Sequence, residues 1–314
     1  MEERKRVFVT GVTGFVGRHL RALLEAEGWE VLGTCFPEHA EEPGCVFFLD
    51  LRSESDVFGA VRDARPAWVL HLAAQSNVHQ SWERRTETLE TNLMGTYHLL
   101  EAVRREAPAA RVLVVSSSDV YGIHGLRDGR LREDQPTQAV SPYAYTKICA
   151  EILAGFYARI EGLNIVIARP FPHTGPGQGP DFVCSDWASQ IARIERGGAP
   201  AVIKVGNIDV ERDFLDVRDV VRAYQLLLDK GRTGEIYNIA SGHAVSLRWI
   251  LDSLLALSGR AIKVEPDPAR LRKVDIPSLT GDNEKIRKDT GWEPRLPLGR
   301  TLRDLLEDRR ARAG

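Results

Sequence analysis

"RVFVTGVTGFVGRHL", residues 6 to 20, decides how the chain folds. An apolar run ends at Gly11, and Gly11, Gly14 and Gly17 then recur every third residue as a helical pattern opens. Glycines at such a turn let the backbone bend tightly and approach a pyrophosphate. The free N–H groups and positive potential of the helix start suit that anion. The same glycines could serve a plain turn, but a strand before them and an amphipathic helix after them are what dinucleotide binding requires. Gly11, Gly14, Phe15, Val16 and Gly17 are therefore expected to line a cofactor.

Outward from this turn the texture repeats. "EVLGTC", "CVFFLDL", "AWVLHLAA", "RVLVVSSS" and "NIVIARP" are short runs rich in Val, Ile and Leu. Helix-length segments lie between most of them, marked by Leu20, Leu23 and Leu24, or by Leu89, Leu93, Leu99, Leu100 and Val103. Apolar strands alternating with helices imply α/β architecture: a parallel sheet covered on both faces, doubly wound through right-handed crossovers. After residue 170 the chain turns to "PFPHTGPGQGPD", then a helical stretch near 182–196 and a strand "AVIKVG". The expected division is a dinucleotide-binding domain over 1–170, with 212–242 returning to it. Residues 171–211 and 243–314 would form a smaller C-terminal substrate-binding lobe.

Composition bounds the function. The 314 residues carry a net charge of −2, which points to no nucleic-acid or membrane partner. No apolar run reaches the length of a membrane span, and "MEERKRVFVTG" is expected to enter a strand directly, without a signal peptide. Cys35, Cys45, Cys149 and Cys184 are too scattered for a metal site, and none is expected; they suit reduced thiols in a cytoplasmic protein.

Two further strand ends support a cofactor. In "FLDLRS", Asp50 is placed to hydrogen-bond an adenine edge, with Leu51 beside it. In "HLAAQS", Leu72, Ala73, Ala74 and Ser76 form a surface on which small side chains let a cofactor lie close. At the end of the second strand an acid binds the ribose hydroxyl of NAD, and an arginine suits the phosphate of NADP. "GTCFPEH" has neither at Phe36, so NAD(H) and NADP(H) both remain open, with a lean to NADPH.

The fifth strand ends "SSSDVYG", and "SPYAYTK" follows about twenty residues later. An ordinary tyrosine titrates near pH ~10, too high for efficient proton exchange at neutrality. Lys147 lies one helical turn after Tyr143, on the same face, where its charge favours the phenolate. Ser117 can hold the oxygen that Tyr143 protonates. Together these residues suit hydride transfer to or from a carbonyl carbon.

On these motifs the chain resembles the extended short-chain dehydrogenase/reductases over essentially its whole length. The glycine turn, Ser117, Tyr143, Lys147 and "RDFLDVRDVVRAY" resemble the nucleotide-sugar enzymes of that family. "HTGPGQG" with "FVCSDWASQIARIERG" is most similar to reductases acting on GDP-4-keto-6-deoxy-D-mannose, with GDP-mannose 4,6-dehydratases near relatives. The resemblance implies a cofactor contact for His173, a nicotinamide-ribose contact for Lys147, and nucleotide-diphosphate contacts for Arg212 and Arg272. Asn207 is counted with the substrate-binding residues. Two departures stand out: Pro172 replaces a family asparagine, and Asp119 occupies the position of the dehydratase's catalytic glutamate. Aspartate is one methylene shorter, and Ser117 stands where the dehydratase has threonine; both favour reduction.

The leading expectation is therefore reduction of a GDP-linked 4-keto-6-deoxyhexose at C4 to GDP-D-rhamnose. The alternatives are a 4,6-dehydratase or 4-epimerase, and a non-enzymatic dinucleotide sensor that would not need Tyr143 and Lys147 in register. The helices near 86–106 and 143–160 carry apolar residues on more than one face (Tyr97, Leu99, Leu100; Ile152, Phe156, Ile160). Family members pair through these helices, which implies a homodimer.

Overall fold

Val7 and Val9 pack into one hydrophobic layer and Phe8 into another, all three without solvent contact. A strand buried on both faces belongs in the middle of a sheet. The computed structural model describes residues 5–36, 44–126, 129–270 and 276–312. Among them, one parallel sheet is built from β1 (Arg6–Thr10), β2 (Glu30–Cys35), β3 (Cys45–Phe48), β4 (Trp68–His71), β5 (Arg111–Val115), β6 (Asn164–Pro170) and β7 (Ile236–Ile239). Their order is β7-β6-β5-β4-β1-β2-β3. The winding reverses between β1 and β4, so a crevice opens beyond their carboxyl ends. Thr10 pairs with His71 and with Thr34 there.

Helices cover both faces. On one lie α1 (Phe15–Ala26), through Leu20 and Leu24, and, further along the chain, Val217–Lys230 through Val220, Tyr224 and Leu227. On the other lie α2 (Glu54–Ala64), α3 (Gly95–Glu106) and α4 (Pro142–Arg159), which bury Val57, Val61, Leu99, Leu100, Val103, Ala154 and Tyr157. The stretch expected as one helix near 86–106 is interrupted. A short helix, Arg85–Leu89, passes through a π-turn, Glu90–Met94, before α3 begins. Such turns widen the coil by one residue and re-aim side chains.

A second core lies in the chain after β6. Trp187, Ile191, Ile203, Val205, Phe214, Ile250, Leu254, Leu302 and Leu305 pack together there. All but Phe214 come from helices Val183–Glu195, Leu247–Ser258 and Leu298–Arg312 and from strand Val202–Val205, which pairs in parallel with Lys263–Pro266. The tail is not confined to this core. Ile286 and Trp292 sit in the sheet layer, where the Trp292 indole donates to the Asp219 carbonyl at 3.0 Å.

The thiol expectation needs correction. Cys35 and Cys45 are joined as a disulfide, their Cα atoms 5.8 Å apart, while Cys149 and Cys184 are free. The reason lies in the topology: β2 and β3 are adjacent parallel strands, with Gly33 opposite Cys45. Among the described residues, no helix is long and apolar enough to cross a membrane.

Candidate active site

The glycine turn is shaped by close backbone approach. Gly11 has φ +73°, and a Cβ there would meet the Ala73 Cα at 3.0 Å. A Cβ on Gly17 would lie 2.3 Å from the Gly11 carbonyl oxygen, so only glycine lets α1 start this close to β1. Gly14 caps α1 without a side chain, and no acidic residue stands in the first turn. The helix's leading N–H groups and positive end are thus left for an external anion. A dinucleotide pyrophosphate fits this cradle.

Behind it runs a buried polar chain that no motif in the sequence marks. The Thr10 hydroxyl accepts from the Leu72 and Ala73 amides, each at 3.1 Å, and meets His71 Nδ1 at 2.9 Å. With its acceptor capacity used, Thr10 donates to Nδ1. His71 Nε2 then donates to Thr96 Oγ1 at 2.9 Å, and Thr96 donates to the Asn92 carbonyl at 2.6 Å. Burial first, and the Lys147 charge second, lower the His71 pKa to about 3, so the ring stays neutral. Asn92 sits in the π-turn; its side chain accepts from the Gln75 amide at 2.8 Å and donates to Thr146 Oγ1 at 3.0 Å. This asparagine joins the exit of β4 to α4, the helix that carries the tyrosine.

The sequence explains how that helix starts. Ser141 Oγ accepts from the Ala144 amide at 3.1 Å and Pro142 takes the first turn, which puts Tyr143 at the mouth of α4. Tyr143, Lys147 and Ser117 are all buried, at 8%, 7% and 9% exposure. Lys147 Nζ donates to the Val115 carbonyl at 2.8 Å and lies 5.8 Å from the Tyr143 ring centroid. Ser117 Oγ accepts from the Asp119 amide at 3.1 Å and lies close enough to the Tyr143 phenol to act on it. Serine, tyrosine and lysine therefore converge at the carboxyl edge of the sheet.

Their electrostatics differ from the expectation in one respect. Burial, and then the Asp119 charge, push the Tyr143 pKa up, against a smaller opposing effect of the Ser117 bond. Desolvation of a phenolate dominates, and the expected lowering by Lys147 is not among the influences on the resting phenol. The hydroxyl is accordingly kept protonated, the state an acid needs. Burial lowers the Lys147 pKa to about 8, with Glu151 opposing the fall, so Lys147 is still mostly charged at pH ~7.

The family model for GDP-mannose 4,6 dehydratase matches residues 8–305. The chain belongs to this family. It is 36% identical to the GDP-6-deoxy-D-mannose reductase of Pseudomonas aeruginosa, over 97% of each chain. The solved structure of RMD from Pseudomonas aeruginosa complexed with NADPH superposes with a TM-score of 0.87 at 34% identity, covering 98% of this chain and 99% of that one. The Thermus thermophilus UDP-glucose 4-epimerase complexed with NAD gives 0.86 at 30% identity, over 97% and 99%. The extended short-chain dehydrogenase/reductase fold is thereby shown.

Other expected residues of this family member fall variously. His173 stacks on Phe15, with ring centroids 6.2 Å apart, and its Nδ1–H donates to the Phe171 carbonyl at 2.9 Å. Burial lowers its pKa, leaving Nε2 a neutral acceptor beside the glycine turn. Asp50 is engaged: Arg52 binds its carboxylate through Nε at 2.8 Å and through its amide at 2.9 Å, holding it below the usual carboxylate range. Leu51 is buried, its carbonyl accepting from His98, and Ser76 is exposed. Ala74, after Ala73, is half-buried at the β4 exit. Arg212 donates to the Glu211 and Ile276 carbonyls at 2.7 Å each. Asn207 is exposed and accepts from the Asp209 amide at 3.0 Å. The Pro172 carbonyl takes the Leu215 amide at 2.9 Å. Arg272 lies outside the described residues.

Proposed function

We propose that the protein reduces GDP-4-keto-6-deoxy-D-mannose at C4 to GDP-D-rhamnose. The observation that carries this reading is the convergence of Ser117, Tyr143 and Lys147 beside the open end of α1. The relationship to the GDP-6-deoxy-D-mannose reductase supports the choice of sugar. A bound nicotinamide dinucleotide, NADPH by preference and NADH otherwise, supplies the hydride.

The chain's own groups do the rest. Gly11, Gly14 and Gly17 leave the α1 N-terminus free for the pyrophosphate, and Ala73 and Ala74 give the cofactor a close floor. Ser117 holds the C4 oxygen. Tyr143 gives that oxygen its proton as the carbonyl becomes an alcohol, and solvent later reprotonates the phenolate. Lys147 stabilises the transient phenolate and donates to the nicotinamide ribose. Residues 1–170 with 212–242 serve the dinucleotide. Residues 171–211 and 243–314 serve the nucleotide sugar, with Arg212 and Arg272 suited to its diphosphate by guanidinium pairing.

A second reading, 4,6-dehydration, rests on Asp119. Its charge acts on Tyr143, so it lies near the reacting atoms and could serve as a base toward C5. Incubation with GDP-mannose alone separates the two. A reductase leaves it untouched and acts only on the 4-keto sugar with reduced cofactor. Asp119→Asn should keep that reduction within about tenfold, roughly 1.4 kcal/mol in transition-state stabilisation. Conversion of GDP-mannose by wild type, abolished in Asp119→Asn, would install the dehydratase.

We further propose a homodimer. Ile152, Phe156 and Ile160, 66%, 46% and 69% exposed, form a stripe along α4, and Met94 and Tyr97 stand exposed at the start of α3. Apolar stripes of this kind on adjacent helices suit a second copy. Light scattering at micromolar concentration should give twice the 35.0 kDa chain mass, and Ile152→Glu should lower it; a monomeric wild type would refute the dimer.

A further inference from the structure

Glu151 lies one turn beyond Lys147 on α4 and is 7% exposed. Its carboxylate is fully engaged. Ser116 donates to Oε1 at 2.5 Å, and Arg169 donates to Oε1 through Nε at 2.8 Å and to Oε2 through Nη2 at 2.7 Å. Arg169, 3% exposed on β6, continues the chain to the Tyr121 hydroxyl at 3.0 Å, which donates to Asn238 of β7 at 2.7 Å. Glu151 thus stands between two buried cations: it binds Arg169, and its charge acts on Lys147.

The other titratable groups around this network give Lys147 no such charge. His71 from β4 is neutral, and burial keeps Tyr143 on α4 and Tyr121 after β5 protonated. Glu133 is taken up by the Asn238 amide at 2.8 Å, and Lys147 is not among the charges that act on it. Asp119 stands on the tyrosine side, where it acts on Tyr143. Arg169 is held charged: burial opposes this, but the Glu151 bonds outweigh it.

We propose that Glu151 is a positioning residue for proton transfer. It keeps Lys147 charged during turnover and, through Ser116 and Arg169, fixes α4 against the strand end that carries Ser117. The assignment rests on the reading of Tyr143 and Lys147 as the acid and its cation. A buried ammonium that loses its neighbouring anion holds its proton less tightly; one relieved of a neighbouring guanidinium holds it more tightly.

The test follows kcat for reduction of the 4-keto sugar, and separately the Kd of NADPH by fluorescence, across pH ~6 to ~10. Wild type, Glu151→Gln and Arg169→Met are compared, with melting temperature as a check on folding. Wild type should lose both properties as pH rises through about 8. Glu151→Gln should move that break down by roughly one unit, and Arg169→Met should move it up. If Glu151→Gln does not accumulate as folded protein, the direction of the Arg169→Met shift decides. Breaks that coincide within about 0.2 units, or an Arg169→Met break that moves down, would overturn the proposal. Failure of the functional reading looks different: wild type would bind NADPH without reducing the sugar, or Tyr143→Phe would match it.

Discussion

Lys147 Nζ is bonded to the carbonyl of Val115, the last residue of β5, at 2.8 Å. The cation of the helix is thereby tied to a strand end two residues before Ser117. The bond fixes the height of α4 over the sheet edge, which sets where the Tyr143 hydroxyl meets Ser117. It also leaves the ammonium's other two protons for the cofactor and the tyrosine.

Lys147→Met keeps the volume and removes the charge. A hydrogen bond to a charged group contributes about 1.5–3 kcal/mol, so NADPH affinity should fall roughly 10- to 150-fold. The loss of affinity expected of wild type above pH 8 should disappear with the ammonium, whose pKa burial lowers to about 8. Fluorescence titration with NADPH at several pH values measures both. An unchanged pH profile would assign the break to another group.

His71 makes a separate prediction about stability. Its folded pKa, about 3, lies well below its ordinary value of 6.5, so the unfolded chain binds the proton first as pH falls. Stability contributed by the neutral ring is present above pH 6.5 and is lost progressively below it, down to about 3. The slope approaches about 1.4 kcal/mol per pH unit in that window. His71→Gln should lower stability at pH ~7 by breaking the Thr10–His71–Thr96 chain, yet flatten its decline toward pH ~5. Denaturant unfolding at the two pH values would show it; equal slopes in wild type and variant would contradict the burial argument.

The sheet could be read from the chain because its strands are apolar on both faces and its glycines stand at fixed intervals. "SPYAYTK" was legible for a similar reason, since i, i+4 spacing alone puts both side chains on one face. The Asn92 contacts were not, because a π-turn leaves no mark in apolar periodicity. The Thr10–His71–Thr96 chain was hidden too: polar residues on a buried strand look like exceptions until their partners, from 25 to 61 positions away, are known. The pairing of Asp50 with Arg52 two residues on was not legible either, since nothing in the strand-end pattern marks it. Cys35 and Cys45 looked scattered because their nearness comes from parallel strands, which sequence separation does not report.

Tyr143→Phe is the most direct test of the central claim, that Tyr143 donates the proton in a ketoreduction. The substitution keeps the ring, its packing and the Ser81–Tyr143 backbone contact, and removes one hydroxyl. With the 4-keto sugar and NADPH, wild type should oxidise one cofactor per GDP-D-rhamnose formed. The variant should turn over roughly 10²–10⁴-fold more slowly while binding NADPH with near wild-type affinity. Turnover by the variant within a few-fold of wild type would contradict the account.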